Sequence, residues 1–150
     1  MAQIDFYILD QGTQHEANLL ACRLLEKAYQ ANQAVYVHMP SSESAKQLDA
    51  LLWTYRDDSF IPHALVDEEK EADILIRIGY ADLDAPYLNT MASNGLLLNL
   101  TAETPGFYHH FPRMMEIIQQ DASLQQLARE RYKHYRDQGH QLNTHKIKAK

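Results

Sequence analysis

The sequence holds a single cysteine, Cys22, among its 150 residues. An internal disulfide and a cysteine-based zinc site are both excluded, and a reducing compartment fits. Glycine is scarce, at five positions, and the turn after the first apolar run contains just Gly12. There is no Gly-rich phosphate loop ending in Lys-Ser/Thr, no Gly-x-Gly-x-x-Gly and no Gly-x-Ser-x-Gly elbow. A P-loop, a dinucleotide site and an elbow-type serine hydrolase are therefore not expected. No apolar run approaches the roughly 18–20 residues that span a bilayer. The start, Met1 to Asp5, lacks the basic-then-apolar pattern of a signal peptide. A cytoplasmic chain that does not enter a membrane is expected. Positive charge is also in deficit, with a formal net charge of -6. The deficit is uneven. Residues 121–150 carry seven basic and three acidic groups, and residues 1–120 carry the remaining seven and seventeen. An acidic body repels phosphate, so bulk nucleic-acid binding is disfavoured and only the basic end attracts anions.

What is present is enough for a core. Hydrophobic residues make up 45% of the chain, which disfavours disorder, and 150 residues make one domain, 1–150, the expectation. Asp5–Leu9 reads as a short apolar strand. From Gln14 to Ala31, Ala17, Leu20, Ala21, Leu24, Leu25 and Ala28 recur at three- and four-residue steps, one face of an amphipathic helix. Val35–Val37 predicts a second strand. Pro40-Ser41-Ser42 opens a second helix, with Ser42 able to cap it. Ile74–Ile78 and Leu96–Leu100 are continuous apolar runs that suit strands buried on both faces. Met114–Ile118 reads better as a strand than as a helix start. Asp121 caps a helix over 122–137 that Gly139 ends, with Leu124, Leu127, Ala128, Tyr132 and Tyr135 at its apolar positions. The order predicts an α/β, Rossmann-like, three-layer domain with a largely parallel sheet and a long C-terminal helix.

Side chains that carry chemistry are present without the spacing that chemistry needs. None of the eight histidines forms a His-x-x-x-His pair with a neighbouring Glu. His109 and His110 are adjacent and diverge, and His134, His140 and His145 lie in the basic end. His63 follows Asp57 and Asp58 and suits a carboxylate–His pair. Solvated or capping histidines are the default. Cys22 falls on the apolar side of the first helix, as a buried structural cysteine does. The acidic groups Asp67-Glu68-Glu69 and Asp82-Leu83-Asp84 read as solvated loops. No metal, cofactor or catalytic residue is expected. The alternative is a small metal-dependent hydrolase or nucleotide-binding α/β enzyme.

Two segments look like docking surfaces. Leu51 to His63 concentrates Trp53, Tyr55 and Phe60 around a charged turn, residue types enriched at interface hot spots. Trp53 and Phe60 could equally cap the core, and Pro62 weakens a central-strand reading. In the last helix, Arg129, Tyr132, Lys133 and Arg136 fall at three- and four-residue steps. Guanidiniums beside aromatic rings suit capture of a carboxylate together with an apolar side chain. A solvated helix face and a small phosphate site are the other readings.

At these segments the sequence resembles the chi subunit of bacterial DNA polymerase III holoenzyme. The resemblance is carried by Phe6-Tyr7-Ile8-Leu9, Leu48-Asp49-x-x-Leu52-Trp53, Asp58-Ser59-Phe60-Ile61-Pro62-His63 and Leu127-Ala128-Arg129-Glu130-Arg131-Tyr132-Lys133-x-Tyr135-Arg136, closed by Gly139 and Leu142-Asn143-Thr144. The pieces run in family order and are specific as a set; residues 66–94 match poorly. The resemblance implies a Rossmann-like fold without intrinsic catalysis, in a bacterial, replisome-associated clamp-loader subunit acting in DNA replication. It implies a heterodimer with the psi subunit through Trp53, Phe60, Ile61 and Pro62. It also implies binding of the acidic, Phe-terminated C-terminal tail of single-stranded DNA-binding protein through Ile118, Gln125, Arg129 and Tyr132, with Lys133 and Arg136 as lesser contributors. DNA would then be contacted indirectly. Some family members carry Lys where Gln125 stands, and losing that cation should weaken or re-centre the anionic contact.

Overall fold

The computed structural model describes residues 2–10, 14–55, 62–65, 75–80, 95–108 and 111–147. Seven strands and three helices occur among them: β1 (Gln3–Leu9), α1 (Gln14–Gln30), β2 (Val35–Met39), α2 (Ser42–Thr54), β3 (His63–Leu65), β4 (Ile76–Tyr80), β5 (Leu96–Asn99), β6 (Arg113–Ile118), α3 (Ala122–Asp137) and β7 (Gln141–Ile147). The strands form one sheet in the order β3-β4-β2-β5-β6-β1-β7, and every pair is parallel. The expected α/β architecture is present.

Alternation along each strand divides the core in two, because successive side chains leave opposite faces of a sheet. On one face Leu9, Val35, Val37, Met39, Ile76, Ile78, Leu98 and Ile117 pack with Leu20, Ala21, Leu25 and Leu48 of α1 and α2. Cys22 is buried in that cluster. On the other face Ile4, Phe6, Tyr36, Leu97, Met114 and Ile118 pack with Phe111 and with Ala128 and Tyr135 of α3. Helices on both faces bury the central strands twice over, which explains their continuous apolar runs.

The helix ends follow local chemistry. The cap of α2 is Ser41, one residue before the serine that the sequence suggested. Its hydroxyl accepts the Ser44 N–H, and Ser44 answers with its own hydroxyl on the Ser41 backbone. The second half of that reciprocal pair selects Ser41 over Ser42. Asp121 accepts the Leu124 N–H at 2.9 Å and starts α3. Gly139, at φ 85°, turns the chain out of it. In β4, Gly79 leaves room for Tyr36, since a Cβ there would lie 2.0 Å from the Tyr36 hydroxyl oxygen.

Three sequence expectations need correction. The strand expected at Ile74–Ile78 runs Ile76–Tyr80, and residue 74 lies outside the described residues. Strands β3 and β7 were not expected from their residues. Each occupies one edge of the sheet and pairs with a single neighbour. Edge positions tolerate Pro62 just before β3 and the polar Asn-Thr-His-Lys run of β7. Leu127 is not a core residue but 40% exposed, because α3 buries Ala128, Arg131 and Tyr135 instead.

One buried group makes the fold acid-sensitive. His38 of β2 is buried, stands perpendicular to Phe107 with ring centroids 5.1 Å apart, and has no hydrogen-bond partner on Nδ1 among the described residues. Burial pushes its pKa down to about 4. The unfolded chain takes up this proton as pH falls through roughly 6.5, while the folded chain stays neutral down to about 4. Stability should therefore fall by about 3 kcal/mol between these pH values and level off below. His38→Phe should flatten that limb in urea titrations run across the same range. An unchanged slope would assign the acid sensitivity elsewhere.

Candidate functional site

Parallel pairing brings residues from the two ends of the chain into one cavity. In register, β1 sets Phe6 beside Thr144 and Ile8 beside Lys146 of β7, and Ile8 beside Ile118 of β6. Residues paired in register point to the same face of a sheet. The cavity has a volume of about 390 Å³. Its floor is Phe6, Ile8 and Ile118, and one rim is Thr144 and Lys146. The opposite wall is one face of α3, formed by Gln125, Ala128, Arg129 and Tyr132, positions that a 3.6-residue repeat places together. Tyr132 stands on Phe6 with ring centroids 5.5 Å apart. The result is an apolar slot with cations at its margin.

The orientation of α3 is fixed from beneath. Glu116 of β6 is fully buried within an otherwise apolar run. Arg131 reaches its Oε1 with Nε at 2.8 Å and Nη2 at 2.7 Å, and its Nη1 donates to the Ala102 carbonyl. The Tyr135 hydroxyl donates to Glu116 Oε2 at 2.5 Å, and Thr104 lies 3.1 Å from the Tyr135 oxygen. Burial raises the Glu116 pKa, and Arg131, Tyr135 and Asn99 oppose that rise. Burial and the adjacent Glu116 charge hold the Tyr135 phenol well above its ordinary range. Arg131 thus belongs to the core and is not a cation of the surface. With Arg131 and Tyr135 pointing inward, Arg129 and Tyr132 are turned toward the slot.

Four of the six residues expected for an acidic tail line this cavity: Ile118, Gln125, Arg129 and Tyr132. Lys133 and Arg136 are exposed on α3 outside the lining, and Arg136 sits 3.7 Å from Asp137. The sequence reading missed Phe6, Ile8, Ala128, Thr144 and Lys146. The alternation of Phe6 and Ile8 was visible, but their neighbours on β7 depend on a pairing across nearly the whole chain.

The second expected surface lies at the other edge of the sheet. Trp53, near the end of α2, is 47% exposed and its ring lies 4.3 Å from that of His63 in β3. His63 is buried, with Nε2 3.2 Å from Asp49 Oδ1 and 3.0 Å from the Asp49 carbonyl. A carboxylate–His pair does form, from Asp49. Asp57 and Asp58, suggested for that role, lie outside the described residues, as do Phe60 and Ile61; Pro62 is half-buried.

The histidines of the basic end also serve the fold. His140 Nδ1 accepts the Ala2 N–H at 3.0 Å and its Nε2 meets the Tyr108 hydroxyl at 3.1 Å. His145 stacks on Tyr7 and lies 3.2 Å from the buried Asp5. Among the described residues, no group of three or more His, Cys, Asp or Glu converges as a metal site, and no helix is long and apolar enough to cross a membrane. A smaller cavity of about 260 Å³ opens near the carboxyl ends of β5 and β6, beside Gln14, Thr101, Gln119 and Arg131. Open α/β sheets bind nucleotides at such a crevice, but here Arg131 is already committed to Glu116.

A family model described as the DNA polymerase III chi subunit, HolC, matches residues 1–143. The DNA polymerase III subunit chi of Pseudomonas aeruginosa is 35% identical over 147 residues, covering 98% of each chain. That of Haemophilus influenzae is 30% identical over 142 residues, covering 95% of each, and that of Escherichia coli is 28% identical over 148. The crystal structure of T4 UvsW superposes with a TM-score of 0.64 at 9% identity, over 98% of this chain and 41% of that one. At that identity the likeness is one of fold. Sequence agreement from Met1 to Asn143, with relatives matched end to end, leaves one conclusion: the chain belongs to the family of DNA polymerase III chi subunits.

Proposed function

We propose that this chain is an adaptor that couples the replicase to coated single-stranded DNA, by holding the C-terminal tail of single-stranded DNA-binding protein at one sheet edge and the psi subunit at the other. As a chi-family member it is a non-catalytic accessory subunit of DNA polymerase III. The observation that carries the tail assignment is the slot between α3, β1 and β7, apolar at its floor and cationic at its rim. A terminal Phe ring would enter between Phe6, Ile118 and Tyr132. Arg129 would then pair with the terminal carboxylate through its planar fork. A slot of about 390 Å³ lies near the small end of ligand pockets, which run from roughly 300 to 1,000 Å³, and suits a few side chains better than a large cofactor.

The psi assignment rests on Trp53 and Pro62 beside β3. Six strand intervals separate β3 from β7, about 29 Å. At that separation the two partners can be held at once, with little energetic coupling between their sites.

Fluorescence anisotropy with an acidic peptide ending in Phe tests the tail reading. Micromolar binding is expected, weakened about 10–100-fold when the terminal Phe is deleted, the effect of losing one buried aromatic side chain. Equal affinity for the truncated peptide would refute it. A large thermal shift on adding nucleotide and Mg²⁺ would instead favour the enzyme alternative.

A further inference from the structure

The tail-peptide reading supplies the ligand for a finer assignment. We propose that Lys146 is the second cation of the slot, forming with Arg129 a clamp in which Arg129 takes the terminal carboxylate and Lys146 takes an acidic side chain upstream of it.

Three observations carry this. Gln125, one helical turn before Arg129, lines the slot but is neutral, and its amide donates to Gln120 at 2.9 Å. It brings no charge to the helix side beyond that of Arg129. Lys146 lies on a different element. Its strand β7 is the edge of the sheet, and its register partner Ile8 is part of the apolar floor. The two cations therefore border the floor from separate walls, and a peptide seated between them meets one with its end and the other with its flank. Finally, both are available. Lys146 is exposed and makes no ion pair among the described residues, while Arg129 reaches only Gln126 Oε1, at 3.5 Å, in the same set. Lys146 also lies beyond residue 143, where agreement with the family model ends, so family membership alone does not assign it.

A double-mutant cycle on the full chain tests the clamp. The probes are the acidic Phe-terminated peptide, the same peptide with its acidic residues changed to Asn, and its C-terminal amide. Lys146→Ala should weaken the acidic peptide about fivefold, the scale of an exposed ion pair, and reduce the salt dependence of binding. It should have little further effect on the Asn peptide, yet keep its full effect on the amide. Lys146→Arg should retain affinity, and Lys146→Ala/Gln125→Lys should recover it by restoring a cation from the helix wall. Because Lys146 is exposed, an unchanged melting temperature should separate loss of binding from loss of fold. Unchanged binding by Lys146→Ala, or coupling to the terminal carboxylate rather than the acidic side chains, would overturn the clamp alone. Failure of the wild-type chain to bind the acidic peptide would overturn the tail reading and the clamp with it.

Discussion

Arg131→Met is expected to lower the unfolding free energy by about 3–5 kcal/mol, the usual cost of stripping one partner from a buried ion pair. Arg131 gives two of its nitrogens to Glu116 and a third to the Ala102 carbonyl. Methionine fills much of the same volume and supplies none of these bonds. Glu116 would keep the Tyr135 hydroxyl but lose its countercharge, in a site where burial already raises its pKa. The sign of the pH dependence follows. A carboxyl whose folded pKa is raised opposes folding most at high pH, and the penalty fades as pH falls toward the ordinary glutamate range. The gap between wild type and variant should thus be largest at alkaline pH and narrow toward acid, whatever His38 contributes to both. Urea titrations at several pH values would measure it, with a constant m-value showing that the cooperative unit is intact. The double variant Glu116→Leu/Arg131→Met removes both charges and should recover most of the loss. If Arg131→Met costs under about 1 kcal/mol, the pair contributes little to stability and another contact holds α3 against the sheet.

The same pair marks a boundary of what the sequence discloses. Arg131 sits in a run of helix charges and reads as solvated; Glu116 sits in Arg-Met-Met-Glu-Ile-Ile and reads as a flaw in a strand. Each makes sense only against the other, and their contact is tertiary. Local periodicity did disclose α1, α2 and α3 and the five interior strands, β4 with its bounds two residues early, because double burial writes continuous apolar runs. It disclosed part of one wall of the slot too, since Arg129 and Tyr132 fall at helical spacing, although Lys133 and Arg136 of the same series lie outside the lining and Gln125 was implied only by the family resemblance. It could not disclose the other wall. Thr144 and Lys146 lie in a polar stretch, and their place beside Phe6 and Ile8 depends on a parallel pairing between the two ends of the chain. Edge strands are written weakly for a general reason: one side faces solvent, so composition no longer separates them from loops. The charge imbalance between 121–150 and the body shifts in meaning accordingly. One of its seven basic groups is a core residue, and two others form the rim of a single slot.

Arg129→Ala should weaken binding of the acidic Phe-terminated peptide about 10–100-fold, the range for a charge-assisted hydrogen bond to a carboxylate. The guanidinium is exposed in the free chain, so its removal leaves no buried group unsatisfied and the fold should hold. The loss should therefore fall on binding and not on the melting temperature. Arg129→Lys keeps the charge but not the planar fork, and should recover only part of the affinity. Amidating the peptide terminus should remove most of the difference between wild type and Arg129→Ala, because both changes delete the same contact. Trp53→Ala supplies the converse. It should weaken the complex with psi while leaving peptide affinity within about twofold, since β3 and β7 bound opposite edges of the sheet. Full peptide binding by Arg129→Ala would remove that residue from the site. Loss of both partners in either single variant, with the fold preserved, would mean that the two edges are coupled through the sheet.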